Sequence, residues 1–185
     1  MSRHGESLNN THNIIGGNCH ISERGEEYSQ LLGDYFSSTQ NLTVWTSELK
    51  RTKETASKIN AKQTVVAWKN LNEIHSGNFD GFVLDDIKTN YPDLYLLRNN
   101  DKLTKSYPNG ESYLDLYKRV STVLDNIDTP QNGTLLIVAH QAVCRVIYSY
   151  FTHKPLSECT NIQINLNTLY ELDEDKVTEI NQISS

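Results

Sequence analysis

Apolar residues recur with two different periods along this chain, and the two periods alternate. Leu135 to Ala139 is an unbroken aliphatic run, the pattern of a strand buried on both faces. Leu42 to Trp45 and Val65 to Trp68 read as shorter strands. Between them the spacing changes to three and four residues. Tyr28, Leu31, Leu32, Tyr35 and Phe36 follow a capping Ser22, and Lys50 to Ile59 reads as a further helix. The broadest apolar stripe starts near Ser112 with Tyr113, Leu116, Tyr117, Val120, Val123, Leu124 and Ile127, and stops before Pro130 and Gly133. Val143, Val146, Ile147, Tyr150 and Phe151 repeat that period after the long strand. Asp85 to Asn99, interrupted by Pro92, predicts small helices forming a lid-like insertion. Leu169 to Leu172 and Val177 to Ile180 flank Asp173-Glu174-Asp175 as a hairpin. Alternating strands and helices of these lengths predict an α/β fold, with a mainly parallel sheet covered on both faces.

The 185 residues suit one domain, 1–185, since no repeat or Pro/Gly-rich linker divides them. The longest aliphatic run is far too short for a membrane span, so no membrane is expected as a partner. A net charge of −6 argues against nucleic acid, which demands a basic surface. An anionic substrate must therefore be drawn by a local cationic cluster. Met1-Ser2-Arg3-His4 opens without an apolar segment, and Cys19, Cys144 and Cys159 are odd in number. Both features predict a cytoplasmic protein with reduced thiols, Cys19 being an ordinary loop cysteine rather than a reactive one. His12, His20 and His153 have no metal-ligand spacing and read as loop or surface residues.

Chemistry concentrates just after the strands. Arg3-His4-Gly5 sets a cation against an imidazole, which lowers its basicity and keeps it nucleophilic at neutral pH. The glycine allows backbone amides near an anion. His140 terminates the long strand, where open α/β sheets gather their reactive groups. Arg51 and Glu73 each follow a short apolar segment. Two histidines, two arginines and one carboxylate in such positions make a phosphoryl-transfer site.

With these residues the chain resembles the histidine phosphatase (phosphoglycerate mutase-like) superfamily. Ile15-Gly16-Gly17, Leu71-Asn72-Glu73-Ile74, Tyr107-Pro108-Asn109-Gly110-Glu111-Ser112-Tyr113 and His140-Gln141-Ala142-Val143-Cys144-Arg145 narrow the resemblance. They are similar to the fructose-2,6-bisphosphatase domain of the bifunctional 6-phosphofructo-2-kinase/fructose-2,6-bisphosphatase enzymes. The resemblance implies a three-layer α/β/α fold. It implies that His4 becomes a phosphohistidine and that Arg3, Arg51 and His140 hold the transferred group. Glu73 would donate a proton to the departing sugar oxygen and later help to activate water, a role that requires its carboxyl to hold a proton near neutral pH. Its plainer account is an ion pair with Arg51. Asn10 and the Gly16 backbone would complete the phosphate cradle. Arg98, Lys102, Tyr113, Gln141 and Arg145 would bind the sugar and the 6-phosphate, although Arg98 and Lys102 could be solvated surface charges and Tyr113 a core residue. No metal or other cofactor is implied.

Three departures bear on specificity. Leu84 stands where the family has a tyrosine touching the 6-phosphate, His75 replaces an aspartate beside Glu73, and only Lys105 remains of the basic residues before Tyr107-Pro108. Only Met1 and Ser2 precede Arg3, so the first strand is expected to be truncated and stability low. Fructose 2,6-bisphosphate is the expected substrate. Alternatives are a broader sugar-phosphate phosphatase, a phosphoglycerate mutase, or a non-catalytic regulatory domain of a bifunctional enzyme. No Gly-x-x-x-x-Gly-Lys-Ser/Thr motif appears, and the resemblance leaves open a kinase domain upstream.

Overall fold

The computed structural model describes residues 1–60, 64–127, 133–173 and 176–180. Among these, β1 (Ser2–Arg3), β2 (Leu42–Ser47), β3 (Thr64–Trp68), β4 (Thr134–Ala139), β5 (Leu169–Asp173) and β6 (Lys176–Ile180) form a sheet of order β3-β2-β4-β1-β5-β6. The first four run parallel; β5 is antiparallel to β1 and pairs with β6 as the expected hairpin. β1 is central, with Ser2 opposite Val138 and Arg3 opposite Ala139. Met1 extends that position through backbone bonds, its amino group donating to Tyr170 O and Tyr170 N–H donating to Met1 O.

The unbroken apolar run of β4 is explained by its alternation between two cores. Leu136 and Val138 point into one with Leu42, Val44, Tyr28 and Leu32, and Ile137 and Ala139 into the other with Trp45, Leu116, Val120, Val143 and Ile147. Helices α2 (Glu23–Tyr35) and α3 (Lys50–Ala56) cover the first face; α6 (Tyr113–Leu124) and α7 (Gln141–Phe151) cover the second. Each aliphatic side chain so buried contributes about 1.5 to 3 kcal/mol. The three-layer α/β/α arrangement is thus the one expected.

Local signals act as predicted at most boundaries. Ser22 accepts the Gly25 N–H to start α2, and Ser112 forms a reciprocal cap with Asp115 at the start of α6. α3 stops at Ala56 rather than Ile59. Pro130 lies outside the described residues, and α6 ends at Leu124. The stretch Ser7 to Ile21 holds one turn of helix, α1 (Leu8–Thr11), capped by Ser7 and Asn10. With no buried residue it carries no apolar stripe to announce it.

The lid-like insertion is α4 (Leu84–Asn90) and α5 (Pro92–Asn100), joined at Tyr91 with Pro92 in the first turn, where its missing N–H costs nothing. Its ends meet at a narrow neck. Asn78 N–H donates to Pro108 O at 2.9 Å, and Glu111 N–H donates to His75 O at 2.8 Å. Gly77 has φ +56°, and a Cβ there would lie 2.0 Å from Pro108 O, so only glycine closes the neck. The insertion is also stitched to the loop before α2, with Ile15 N–H on Phe82 O, Gly81 N–H on Ile15 O and Leu84 N–H on Asn13 O. A short helix α8 (Leu156–Cys159) precedes the hairpin.

Candidate active site

The four parallel strands deliver their polar residues to one edge. His4 follows β1, Ser47 ends β2 and Arg51 lies in the first turn of α3. Glu73 follows β3 after a short turn, and His140 caps α7 directly after β4. A cavity of about 410 Å³ opens there. Eleven of the twelve residues singled out from the sequence line it: Arg3, His4, Asn10, Gly16, Arg51, Glu73, Arg98, Lys102, Tyr113, Gln141 and Arg145. The twelfth, His140, is wholly buried and reaches the site through Arg51.

Hydrogen bonds fix the protons of both imidazoles. His4 Nδ1 lies 2.7 Å from Gly5 O, an acceptor, so Nδ1 carries the hydrogen and Nε2 presents its lone pair. Arg51 Nε–H donates to that Nε2 at 3.2 Å and to His140 Nδ1 at 3.2 Å. The lone pair of His140 is therefore on Nδ1 and its hydrogen on Nε2, which donates to Ser47 Oγ at 2.8 Å. Ser47 Oγ also accepts the Leu49 N–H, and its own hydrogen goes to Thr52 Oγ1, since Thr52 donates to Leu49 O.

Both histidines are held well below the usual imidazole range. For His4 burial is the largest cause, Arg51 comes next and Arg3 third, partly opposed by Gly5 O. For His140 burial again leads, followed by Arg51 and His4. The adjacent Arg3 is thus a lesser cause than the sequence suggests. Gly5 also differs from expectation. Its N–H donates to Thr55 Oγ1, and a Cβ would lie 2.8 Å from Gly25 O, so close packing against α2 rather than an anion demands glycine.

Around His4, Asn10 Oδ1 is committed to Ser7, which leaves its amide N–H groups as donors. Arg51 Nη1 donates to Gly17 O, tying the loop to α3. Glu73 accepts Ile74 N–H at 2.9 Å and Ala142 N–H at 3.5 Å, and no ion pair joins it to Arg51 among the described residues.

Elsewhere in the cavity wall, Arg145 Nη1 donates to Tyr113 OH at 2.8 Å and Nε to Ile162 O. Burial pushes the Tyr113 phenol up to about 12, so it keeps a hydrogen to donate. Tyr113 is therefore both a core residue and a cavity residue. Arg98 is no solvated surface charge. Its guanidinium lies 3.7 Å from the centre of the Tyr107 ring, and its Nε is buried without a hydrogen-bond partner among the described residues, as is Nε of Arg3. Burial, then Arg145 and Arg98, lower Lys102 below the usual lysine range. Three cations crowded this way suit an anion. Leu84 lines the cavity beside Ile87 and Leu94, whereas the His75 side chain is exposed and does not border it. Ser47 and Tyr107 received no individual role from the sequence, because their importance depends on partners 93 residues away and on α5 respectively.

A family model described as the histidine phosphatase superfamily (branch 1) matches residues 1–180. A fructose-2,6-bisphosphatase of Saccharomyces cerevisiae is 40% identical over 187 residues, covering 97% of this chain and 40% of that protein. A 6-phosphofructo-2-kinase/fructose-2,6-bisphosphatase of Arabidopsis thaliana is 38% identical over 176 residues, covering 93% of this chain and 23% of that protein. The chain thus spans between about a quarter and under half the length of these relatives. Among solved structures, a putative alpha-ribazole-5'-P phosphatase of Escherichia coli superposes with a TM-score of 0.83 at 22% identity, over 96% of this chain and 91% of that one. YhfR of Bacillus stearothermophilus does so at 0.80 and 23% identity, over 97% and 93%.

Proposed function

Because this chain belongs to branch 1 of the histidine phosphatase superfamily, we propose that it hydrolyses fructose 2,6-bisphosphate to fructose 6-phosphate and phosphate. The observation that carries the reading is the convergence of the His4 Nε2 lone pair and the Arg51 Nε–H in a cavity that Arg98, Lys102 and Arg145 also line. His4 and Arg51 suit the phosphoryl group that reacts, and the further cations suit a phosphate that only binds. The names of the relatives from Saccharomyces cerevisiae and Arabidopsis thaliana support the same substrate.

In the first step His4 Nε2 attacks phosphorus, the bond to the 2-oxygen breaks, and Glu73 gives that oxygen a proton. Arg3 and Arg51, backed by His140, stabilise charge on the equatorial oxygens, and Asn10 with the Gly16 backbone completes the cradle. In the second step water attacks the phosphohistidine, the P–N bond breaks, and Glu73 takes the water proton. Gln141, Tyr113, Arg145, Arg98 and Lys102 hold the sugar and its 6-phosphate. The same reading includes a cytoplasmic location, which three unpaired thiols suit, and a kinase domain on the natural polypeptide, as the Arabidopsis relative's name pairs the two activities.

The test is incubation with fructose 2,6-bisphosphate labelled at the 2-phosphate, trapping label on protein and measuring fructose 6-phosphate. Label on the wild type and none on His4→Ala is the expected result. Isomerisation of 3-phosphoglycerate would instead mark a mutase.

A further inference from the structure

We propose that Arg119 is a positioning residue for Glu73, acting through the backbone that carries it; the inference rests on the role given to Glu73 above. Arg119 lies on α6 and does not line the cavity. All five of its N–H groups are nevertheless engaged, and all on two short segments. Nη1 donates to Asn70 O and Asn72 O, each at 2.8 Å, and Nη2 donates to Glu73 O at 3.1 Å. Nε and the second Nη2 hydrogen form a fork with Glu111 Oε1 and Oε2 at 2.8 Å.

Glu111 closes the circuit. Its Oε2 also accepts the His75 N–H at 2.8 Å, and its own N–H donates to His75 O. The five residues from Asn70 to Ile74 are therefore held at Asn70, Asn72 and Glu73 by one guanidinium and at the following residue by its partner carboxylate. Burial opposes ionisation of Glu111, but the Arg119 fork and the His75 N–H outweigh it and hold its carboxyl below the usual range. The pair is only about a fifth exposed on each side. Glu73 sits inside this clamp, and its carboxylate is aimed by Ile74 N–H and Ala142 N–H. Any slack in the 70–75 backbone moves the proton donor relative to the sugar oxygen, and a displacement near 1 Å costs about a hundredfold in rate.

Charge alone does not perform this task. Lysine would bring a cation with three donors from one point, and could not meet three carbonyls and a carboxylate fork together. The distinguishing readout is dependence on the leaving group. An alkoxide needs the Glu73 proton, whereas p-nitrophenolate leaves without it. We compare kcat/KM, which covers binding and transfer to His4 but not the later hydrolysis, for fructose 2,6-bisphosphate and p-nitrophenyl phosphate.

Arg119→Lys should lose about a hundredfold on the sugar phosphate and far less on the aryl phosphate, which also serves as the check that the variant is folded. Glu111→Gln, close in shape, should show the same selective loss at smaller size. Adding Arg119→Lys to Glu73→Gln should cost little more on the sugar phosphate than Glu73→Gln alone. Equal loss on both phosphates, or wild-type behaviour of Arg119→Lys, overturns the proposal. If Glu73→Gln alone fails to separate the two phosphates, the proton-donor reading falls and this inference falls with it. If Glu73→Gln separates them and Arg119→Lys does not, only the inference fails.

Discussion

The rings of His4 and His140 lie 5.2 Å apart, centre to centre, tilted by 60°, and both turn a lone pair toward a single donor, Arg51 Nε–H. One hydrogen cannot fully satisfy two acceptors. Among the described residues, Arg51 Nε–H is thus shared between the two imidazoles, and Arg3 Nε is buried without a protein acceptor.

Two buried neutral imidazoles make stability depend on pH. Both are held well below the imidazole range, so in acid the unfolded chain binds protons that the folded chain refuses. Stability is then fully present above about pH 6.5 and declines below it, by up to about 1.4 kcal/mol per pH unit for each histidine. Urea midpoints between pH 7.5 and 5 should fall, and His140→Asn should flatten the slope; a midpoint that rises on acidification contradicts the assignment.

Glu73→Gln keeps the size of the side chain and removes the transferable proton. Turnover of fructose 2,6-bisphosphate should fall by about a hundredfold to ten-thousandfold, with binding measured by calorimetry little changed. Full turnover in this variant removes Glu73 from the chemistry.

Ser47→Ala should damage a residue that never meets substrate. It deprives His140 Nε2–H of its acceptor in a fully buried place, at a cost of about 1 to 3 kcal/mol. Denaturant unfolding would register that loss, and Ser47→Thr, which restores the hydroxyl, should recover most of it.

Arg98→Ala tests the proposed site of the second phosphate. KM for the bisphosphate should rise about tenfold to a hundredfold, the worth of a hydrogen bond to a charged group, while hydrolysis of a phosphate ester lacking a second phosphate stays the same. The reverse change is Leu84→Tyr, which returns a hydroxyl to the wall and should lower KM; an unchanged KM in both variants would move the second phosphate elsewhere.

What could be read from the residues divides along a physical line. Val138 and Ala139 declare a two-sided strand because burial on both faces leaves no polar position, and Tyr113 to Leu124 declare a helix because one stripe meets one core. Those are properties of neighbours in the chain. His4, Arg51, Glu73 and His140 are legible from their places after apolar segments, and Gln141 and Arg145 through the resemblance. Arg119 is not, because it reads as one more polar position on α6 until its fork meets Glu111 and the 70–73 carbonyls. Gly5 was misread for the same reason: the atom that forbids a side chain there belongs to Gly25, 20 residues on.

The glycine-closed neck at Gly77 and Pro108 makes residues 78–108 a cassette whose two ends leave the scaffold almost at the same point. The groups proposed to react stay on the strand ends, while Leu84, Arg98 and Lys102 travel with the cassette. Grafting this stretch between homologues then exchanges the part of the pocket wall that it carries, provided that its backbone seams at Asn13, Ile15, Tyr113 and Leu114 are kept, while Tyr113, Gln141 and Arg145 stay with the scaffold. A lineage could acquire a new preference this way while its phosphoryl chemistry stays untouched.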